Sequence, residues 1–156
     1  MKLKLLLLVA LLIYSCNSSD NKSVSLYNFL PDDSSVIISI NDLNNTKEIL
    51  NKNKLLPAVL SSTKEITTQL DLLSHNKSDR SGLLSLSAYG KDEIAFTYIR
   101  ESNSFDSIQE VDILKNTYQK NELFVENING NEVHKVIIDK YIISSNKDII
   151  LENIIR

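Results

Sequence analysis

The sequence predicts an α+β fold: an antiparallel sheet or meander with an early buried strand, two to three helices within residues 42–76, and a C-terminal helix. Apolar residues with the i, i+4, i+7 spacing of one helix face are Ile66, Leu70 and Leu73. In residues 84–89, Leu or Ala alternates with Ser or Tyr, which is the period of a strand. Between residues 123 and 143, short β-branched runs are separated by turn dipeptides, which is typical of a meander.

The first strand and helix follow a short opening segment, residues 26–30. Residues 31–34 predict a turn, because proline fixes φ and the aspartates can bond their own backbone. The continuous β-branched run Val36–Ile40 predicts a buried strand. Asp42 is placed to cap a helix over residues 43–51. The apolar residues of this helix that we expect to face the core are Leu43, Ile49 and Leu50.

A second helical region lies between residues 54 and 75. Residues 54–60 predict one or two helical turns. Residues 62–65 (Ser-Thr-Lys-Glu) match a capping box, in which the serine hydroxyl and the glutamate satisfy free N–H groups at a helix start. We therefore predict a helix over residues 63–75, followed by a loop over residues 75–82.

The period then changes from helical to alternating. Residues 83–100 predict an antiparallel hairpin with its turn at residues 90–92. Residues 102–107 are expected to form a loop, and residues 111–118 a further strand. Three aromatic residues of the hairpin are candidates for core packing or, alternatively, for a small contact surface: Tyr89, Phe96 and Tyr98.

The last third of the sequence predicts a meander that ends in a helix. Its strands are expected at 123–125, 133–138 and 141–143, with turns at Asn129-Gly130 and Asp139-Lys140. Ser144 or Ser145 is placed to cap a helix over residues 146–155. The apolar residues that this helix presents are Ile149, Ile150, Leu151, Ile154 and Ile155.

The first sixteen residues have the layout of a secretory signal. Lys2 and Lys4 form a basic start, residues 5–13 are an unbroken apolar run, and residues 14–16 are Tyr-Ser-Cys. The apolar run is far shorter than the ~20 residues that a helix needs to span a bilayer. This segment therefore predicts export, with an uncleaved anchor as the weaker alternative.

The end of this segment resembles the lipobox of bacterial lipoproteins, through Ile13, Tyr14, Ser15 and Cys16. The resemblance implies that the Cys16 thiol carries a diacylglyceryl group and that the chain is cut before it; an ordinary cleaved signal is the alternative. The implied organisation is a signal peptide at 1–15, a lipidated cysteine and flexible tether at 16–25, and a single α+β domain at 26–156. Because Asn17 follows the cysteine, rather than the aspartate that resembles an inner-membrane retention signal, we expect the outer membrane.

The body is similar to the amino-terminal part of long flavobacterial-type lipoproteins of unknown function. The residues that carry this resemblance are Leu30-Pro31-Asp32, the run 35–40, and Ile142-Ile143-Ser144-Ser145. Since the sequence stops inside the amphipathic helix, it also suggests a domain truncated at its C-terminus.

The composition of the sequence argues against several classes of function. The formal net charge is −3, and more negative still without Lys2 and Lys4, so nucleic acid is not an expected partner. The single cysteine rules out an intrachain disulfide, and its use by the lipid rules out a thiol catalyst. Three scattered glycines form no phosphate-binding loop, and no cofactor is expected.

The residues that could carry chemistry are few. His75 and His134 are the only histidines and lack the spacing of metal ligands, so we expect no metal site. The acid pairs Asp32-Asp33 and 92–93 flank predicted turns, where exposed carboxylates are common. No nucleophile signature surrounds any serine, so no catalytic residue is assigned. Ser107, within Asp-Ser-Ile in a predicted loop, resembles an O-glycosylation motif of exported Bacteroidota-type proteins.

These observations favour a non-enzymatic, membrane-anchored envelope lipoprotein that binds or scaffolds another component. The membrane would be reached through the lipid on Cys16, and the partner would be an envelope protein or a polysaccharide. The alternatives are an envelope hydrolase whose site is assembled from distant residues, and an inactive fragment of a longer lipoprotein.

Overall fold

A seven-stranded antiparallel sheet forms the centre of the protein in a computed structural model. The structure describes residues 24–53, 63–73, 81–91, 93–102 and 113–156. The strands are β1 (Val36–Ile40), β2 (Gly82–Tyr89), β3 (Glu93–Glu101), β4 (Ile113–Tyr118), β5 (Asn121–Ile128), β6 (Asn131–Ile138) and β7 (Tyr141–Ser145). The helices are a short 3₁₀ helix (Leu26–Phe29), α1 (Leu43–Lys52), α2 (Thr63–Leu73) and α3 (Asp148–Ile155). The predicted α+β fold is therefore confirmed.

The strand order is β1-β2-β3-β7-β6-β5-β4. After β3 the chain passes to the far edge, and β4 to β7 return as a meander. The centre of the sheet is therefore the ladder between β3 and β7, in register from Thr97↔Ser145 to Glu101↔Tyr141. We refer to this ladder as the β3–β7 seam, because it joins two halves that are each built from strands consecutive in chain order, β1 to β3 and β4 to β7.

Helices cover both faces of the sheet. Tyr98 and Ile99 are consecutive in β3 and therefore point to opposite faces. Tyr98 packs in a cluster with Leu43 of α1 and Leu70 of α2. Ile99 packs in a second cluster with Leu151 of α3. We call the two sides the α1/α2 face and the α3 face.

Covering both faces changes the burial of the central strands. In β2, six successive residues from Gly82 to Ser87 are buried, although the sequence alternates leucine and serine. Ser85 and Ser87 lie on the α3 face at 1% and 4% exposure. Both hydroxyls form hydrogen bonds with residues of the 31–34 turn, so their burial leaves them paired.

Several local predictions are confirmed. The Asp42 carboxylate accepts a hydrogen bond from the Asn45 N–H at 2.8 Å and caps α1. Asn129 and Gly130 have positive φ angles of 52° and 83°, which a two-residue hairpin turn of this type requires. Ile66 and Leu70 of α2 are buried, as their spacing predicted.

Other local predictions are corrected. The early strand β1 exists, but it lies at an edge of the sheet, and only Ile40 is buried in it. Ile49 of α1 is 56% exposed instead of facing the core. The predicted loop over 75–82 is wrong at Gly82, which begins β2.

The start of the last helix also differs from its prediction. Ser144 and Ser145 belong to β7, because this strand continues two residues beyond the predicted 141–143. α3 begins at Asp148, and its N-cap residue, Lys147, forms no side-chain capping bond. Leu151 and Ile150 of α3 are buried, whereas Ile149 is 40% exposed.

Other predictions concern residues outside the described part of the chain. These are the signal segment 1–15, the tether up to residue 23, the helical turns at 54–60, and most of the loop over 102–107. Among the helices that the structure does describe, none is long and apolar enough to cross a membrane.

Candidate functional site

A groove lies between the turn that follows the 3₁₀ helix and the outer side of α3. Its volume is about 450 Å³, within the roughly 300–1,000 Å³ typical of ligand pockets. The apolar residues that line it are Leu30, Pro31, Ile150 and Ile154, and the polar ones are Asn28, Asp32, Asp33 and Asn153. We call this feature the acidic groove.

The turn side of the acidic groove is fixed to the sheet. The Ser34 N–H donates to the Pro31 carbonyl at 3.1 Å, and the Ser34 hydroxyl donates to the same oxygen at 2.5 Å. The Ser85 hydroxyl donates to the Ser34 hydroxyl at 2.7 Å, and the Ser87 hydroxyl donates to Asp33 Oδ1 at 3.3 Å. Two serines of β2 therefore hold the turn, and with it one wall of the groove.

The helix side of the acidic groove is fixed by apolar packing. Leu151 is fully buried against the sheet, and this contact sets the position of α3. Ile150 is 8% exposed and Ile154 is half-buried, so both present apolar surface to the groove. The two walls come from residues about 120 positions apart in sequence.

The charged residues that line the acidic groove are all negative. Asp32 and Asp33 are exposed in the turn, as the sequence predicted, and no lysine or arginine is among the lining residues. A cationic group that enters the groove would meet two carboxylates beside an apolar wall. The arrangement suits a ligand that combines positive charge with apolar surface.

The lining also bears on the hydrolase alternative. It includes no serine, histidine or cysteine. Acid–base work by two carboxylates requires environments that separate their pKa values. Asp32 and Asp33 are consecutive residues of one exposed turn.

A second polar feature lies on the α1/α2 face, beneath the ends of the two helices. Lys135 Nζ lies 2.7 Å from Glu126 Oε2, and their side chains are only 17% and 9% exposed. This contact between opposite charges is an ion pair. Tyr98, Arg100 and Ser144 line the same cavity.

The volume of this cavity limits the size of what it can hold. It is about 40 Å³, whereas a single water molecule needs roughly 10–15 Å³ by the same measure. It therefore has room for a few water molecules and not for a substrate. Lys135 and Glu126 form a largely buried ion pair at the wall of this small cavity.

Sequence reasoning missed this pair, although a signal for it was present. The Asn129-Gly130 turn fixes the register of β5 and β6, in which Val133 lies opposite Glu126. Lys135 is then the diagonal neighbour of Glu126, a relation within reach of long side chains. Counting back from the turn would have placed the two charges together.

The histidines and paired acids are now placed as far as the structure describes them. His134 lies in β6 at 5% exposure, with Nε2 3.7 Å from Glu132 Oε2. Within the described ranges, no group of three or more His, Cys, Asp or Glu residues could hold a metal ion. Glu93 is exposed and pairs with Lys147 at 2.6 Å. His75 and Asp92 lie outside the described residues.

The aromatic residues of the hairpin belong mainly to the core. Phe96 is fully buried and Tyr98 is 5% exposed, so the alternative of an aromatic contact surface is wrong for both. Tyr89 is 37% exposed, and the Lys147 ammonium lies 4.6 Å from its ring centroid. The predicted lipid site Cys16 and glycosylation site Ser107 lie outside the described residues.

Comparison of the chain with protein families, with curated proteins and with solved structures finds no match.

Proposed function

We propose that this protein is a lipid-anchored, non-catalytic binding module of the bacterial cell envelope. Cys16 carries the lipid, and the acidic groove receives a basic, partly apolar segment of a partner envelope protein. The observation that carries the proposal is the groove itself, in which two carboxylates stand beside an apolar wall of Leu30, Ile150 and Ile154.

The anchor is supported by the first sixteen residues. Their basic start, short apolar run and lipobox-like ending place a cysteine where a lipoprotein signal would be cut. The residue after Cys16 is Asn17, which favours the outer membrane over inner-membrane retention. The acidic body has no electrostatic attraction to anionic lipid, so the lipid chains must provide the attachment.

A basic protein segment suits the acidic groove better than a polysaccharide does. Complementary charge steers a cationic partner toward Asp32 and Asp33 and fixes its register. Lysine and arginine also carry apolar stems that can lie along Ile150 and Ile154. A sugar ring usually stacks on an aromatic side chain, and none is among the residues that line the groove.

The groove is tested with two short probes. A fluorescein-labelled hexapeptide of alternating leucine and lysine is titrated against the full-length protein in detergent, and its anisotropy is measured. The matched probe replaces each lysine with glutamate. We expect saturable binding of the lysine peptide alone, and weaker binding as salt is raised, because exposed charges are screened.

Variants locate the binding on the protein. The double variant Asp32→Asn with Asp33→Asn should weaken binding of the lysine peptide at least tenfold. Asp139→Asn is the control, because Asp139 is also an exposed aspartate in a turn and its φ of 53° suits asparagine. Equal loss in the control, or binding of a chito-oligosaccharide but not of the lysine peptide, would contradict the proposed partner.

The anchor is tested separately. Cys16→Ser should abolish metabolic labelling with an alkynyl palmitate and release the protein from the membrane fraction, because a hydroxyl does not replace the acylated thiol. Persistent labelling in the variant would overturn the lipoprotein assignment. Protease treatment of intact cells then distinguishes a surface-exposed protein, which is digested, from a periplasmic one.

A further inference from the structure

The strand β1 forms one edge of the sheet, and its exposed edge is apolar. Among the described strands only β2 pairs with β1. Val36 is 39% exposed and Ile37 is 49% exposed. The strand reads Val-Ile-Ile-Ser-Ile and contains no charge and no proline. Natural sheets usually protect an edge with such residues or with a bulge, since an open edge can pair with another chain.

The opposite edge of the sheet is protected in this way. β4 has a bulge between Leu114 and Asn116. Within the part of the chain that the structure describes, the two edges therefore differ: the bulge in β4 disfavours the addition of a strand, and β1 has no bulge or charge that would do so.

We propose that two copies of this protein associate by pairing β1 with β1 in antiparallel orientation. The twofold axis passes beside Ile38, so that Ile38 of one copy lies opposite Ile38 of the other. Val36 then lies opposite Ile40, and Ile37 opposite Ser39. The two seven-stranded sheets become one continuous sheet.

The strand itself indicates a second copy rather than an unrelated segment. In this register the side chains on the α1/α2 face are all apolar, and each meets an apolar side chain of the other copy: Val36, Ile38 and Ile40. No like charges meet across the axis, because the strand has none. The exposed area of Val36 and part of that of Ile37 would be covered.

Symmetry explains why this association stops at two copies. Pairing β1 with β4 would be head-to-tail and would continue into an open filament. The bulge in β4 disfavours that pairing. Pairing β1 with β1 uses the same surface twice and closes the assembly as a dimer.

A cysteine test distinguishes this register from random collision. In full-length protein carrying Cys16→Ser, an introduced cysteine is the only thiol. With Ile38→Cys, the two Cα atoms would be about 4.5–5.5 Å apart, within the range of a disulfide. With Val36→Cys they would be about 13 Å apart along the strands, which is too far. We expect disulfide-linked dimers from Ile38→Cys and none from Val36→Cys under the same mild oxidation.

A charge test measures the association without an introduced thiol. Ile37→Lys should convert dimer to monomer, as measured by sedimentation of the full-length protein in detergent, with its far-ultraviolet circular dichroism spectrum unchanged. Ile49→Lys places the same charge on the exposed side of α1 and should leave the dimer intact. A monomeric unmodified protein, equal cross-linking at positions 36 and 38, or equal loss in both lysine variants would overturn the proposal.

Discussion

The side-chain oxygen of Asn146 accepts a hydrogen bond from the backbone N–H of Phe96 at 2.9 Å. The same amide group donates to the carbonyl of Ile94 at 3.2 Å. The Asn146 side chain thus makes the two hydrogen bonds that a backbone peptide group would make beside β3. It lies immediately beyond the end of the β3–β7 seam, whose last pair is Thr97↔Ser145. The buried Ser145 hydroxyl adds a bond to the Phe96 carbonyl at 2.6 Å.

Asn146→Ala should therefore destabilise the protein. It removes both bonds and leaves the Phe96 N–H beside the core without its acceptor, which costs about 1–3 kcal/mol. Asn146→Asp should cost less, because a carboxylate still accepts from Phe96 but cannot donate to Ile94. Denaturant unfolding measures the difference. Asn116→Ala on β4 is the matched control, since Asn116 is exposed and should change stability by no more than about 0.5 kcal/mol.

Gly82→Ala should also be destabilising. A Cβ atom at residue 82 would lie 2.5 Å from the Ile99 carbonyl oxygen and 2.8 Å from the Tyr98 ring, so the hairpin would have to shift. Overpacking of this kind costs about 1–3 kcal/mol. The neighbouring exposed residue provides the control: Ser81→Ala should leave the thermal midpoint nearly unchanged. Similar midpoints for the two variants would show that the strand accommodates the methyl group.

The buried ion pair should behave differently from an exposed one. Glu126→Leu or Lys135→Met alone leaves one largely buried charge without the opposite charge of this pair, which costs up to about 3–5 kcal/mol. The double variant should recover most of that loss, because two apolar side chains of similar size replace the pair. Glu101→Gln breaks the exposed pair with Lys140 and should change stability far less, because solvent screens that pair. Additive losses in the double variant would contradict this interpretation.

Lys140 should titrate at a higher pH than an isolated lysine. A hydrogen bond from its ammonium to Glu101, with the attraction of the Glu101 charge, raises the pKa of Lys140 above 10.5. A raised pKa in the folded state favours the folded state below the unfolded pKa, and this contribution is lost as the pH rises through the folded value. In an NMR titration of the lysine Cε signals, Glu101→Gln should lower the Lys140 pKa, whereas Glu122→Gln should not.

Local chemistry allowed much of the fold to be predicted. Features that depend only on neighbours within a few residues can be predicted from the sequence. They include the Asn129-Gly130 turn, the Asp42 cap and the burial of Ile66 and Leu70. The edge position of β1 could not be read in this way. A β-branched run looks the same at the edge as at the centre, and the order of strands depends on distant pairing.

The serines at the end of β7 were assigned to the wrong element. A serine after a strand suggests a helix cap. The Ser145 hydroxyl instead donates a hydrogen bond to the Phe96 carbonyl and accepts one from the Lys147 N–H. Its hydroxyl therefore fits inside the sheet. The acidic groove was predictable only in part: the exposed turn at Asp32 and Asp33 was expected, but its meeting with Ile150 and Ile154 is a tertiary contact.

The β3–β7 seam has a consequence for the rate of folding. Pairs within β2–β3 and within the β4–β7 meander lie close in sequence, so these units can form early and quickly. The seam must close a loop of about 40 residues or more, as must the β1–β2 ladder, and that entropy is lost before the bonds form. We therefore expect closure of these two ladders to limit the refolding rate, so that Asn146→Ala, which weakens the seam, slows refolding more than it accelerates unfolding.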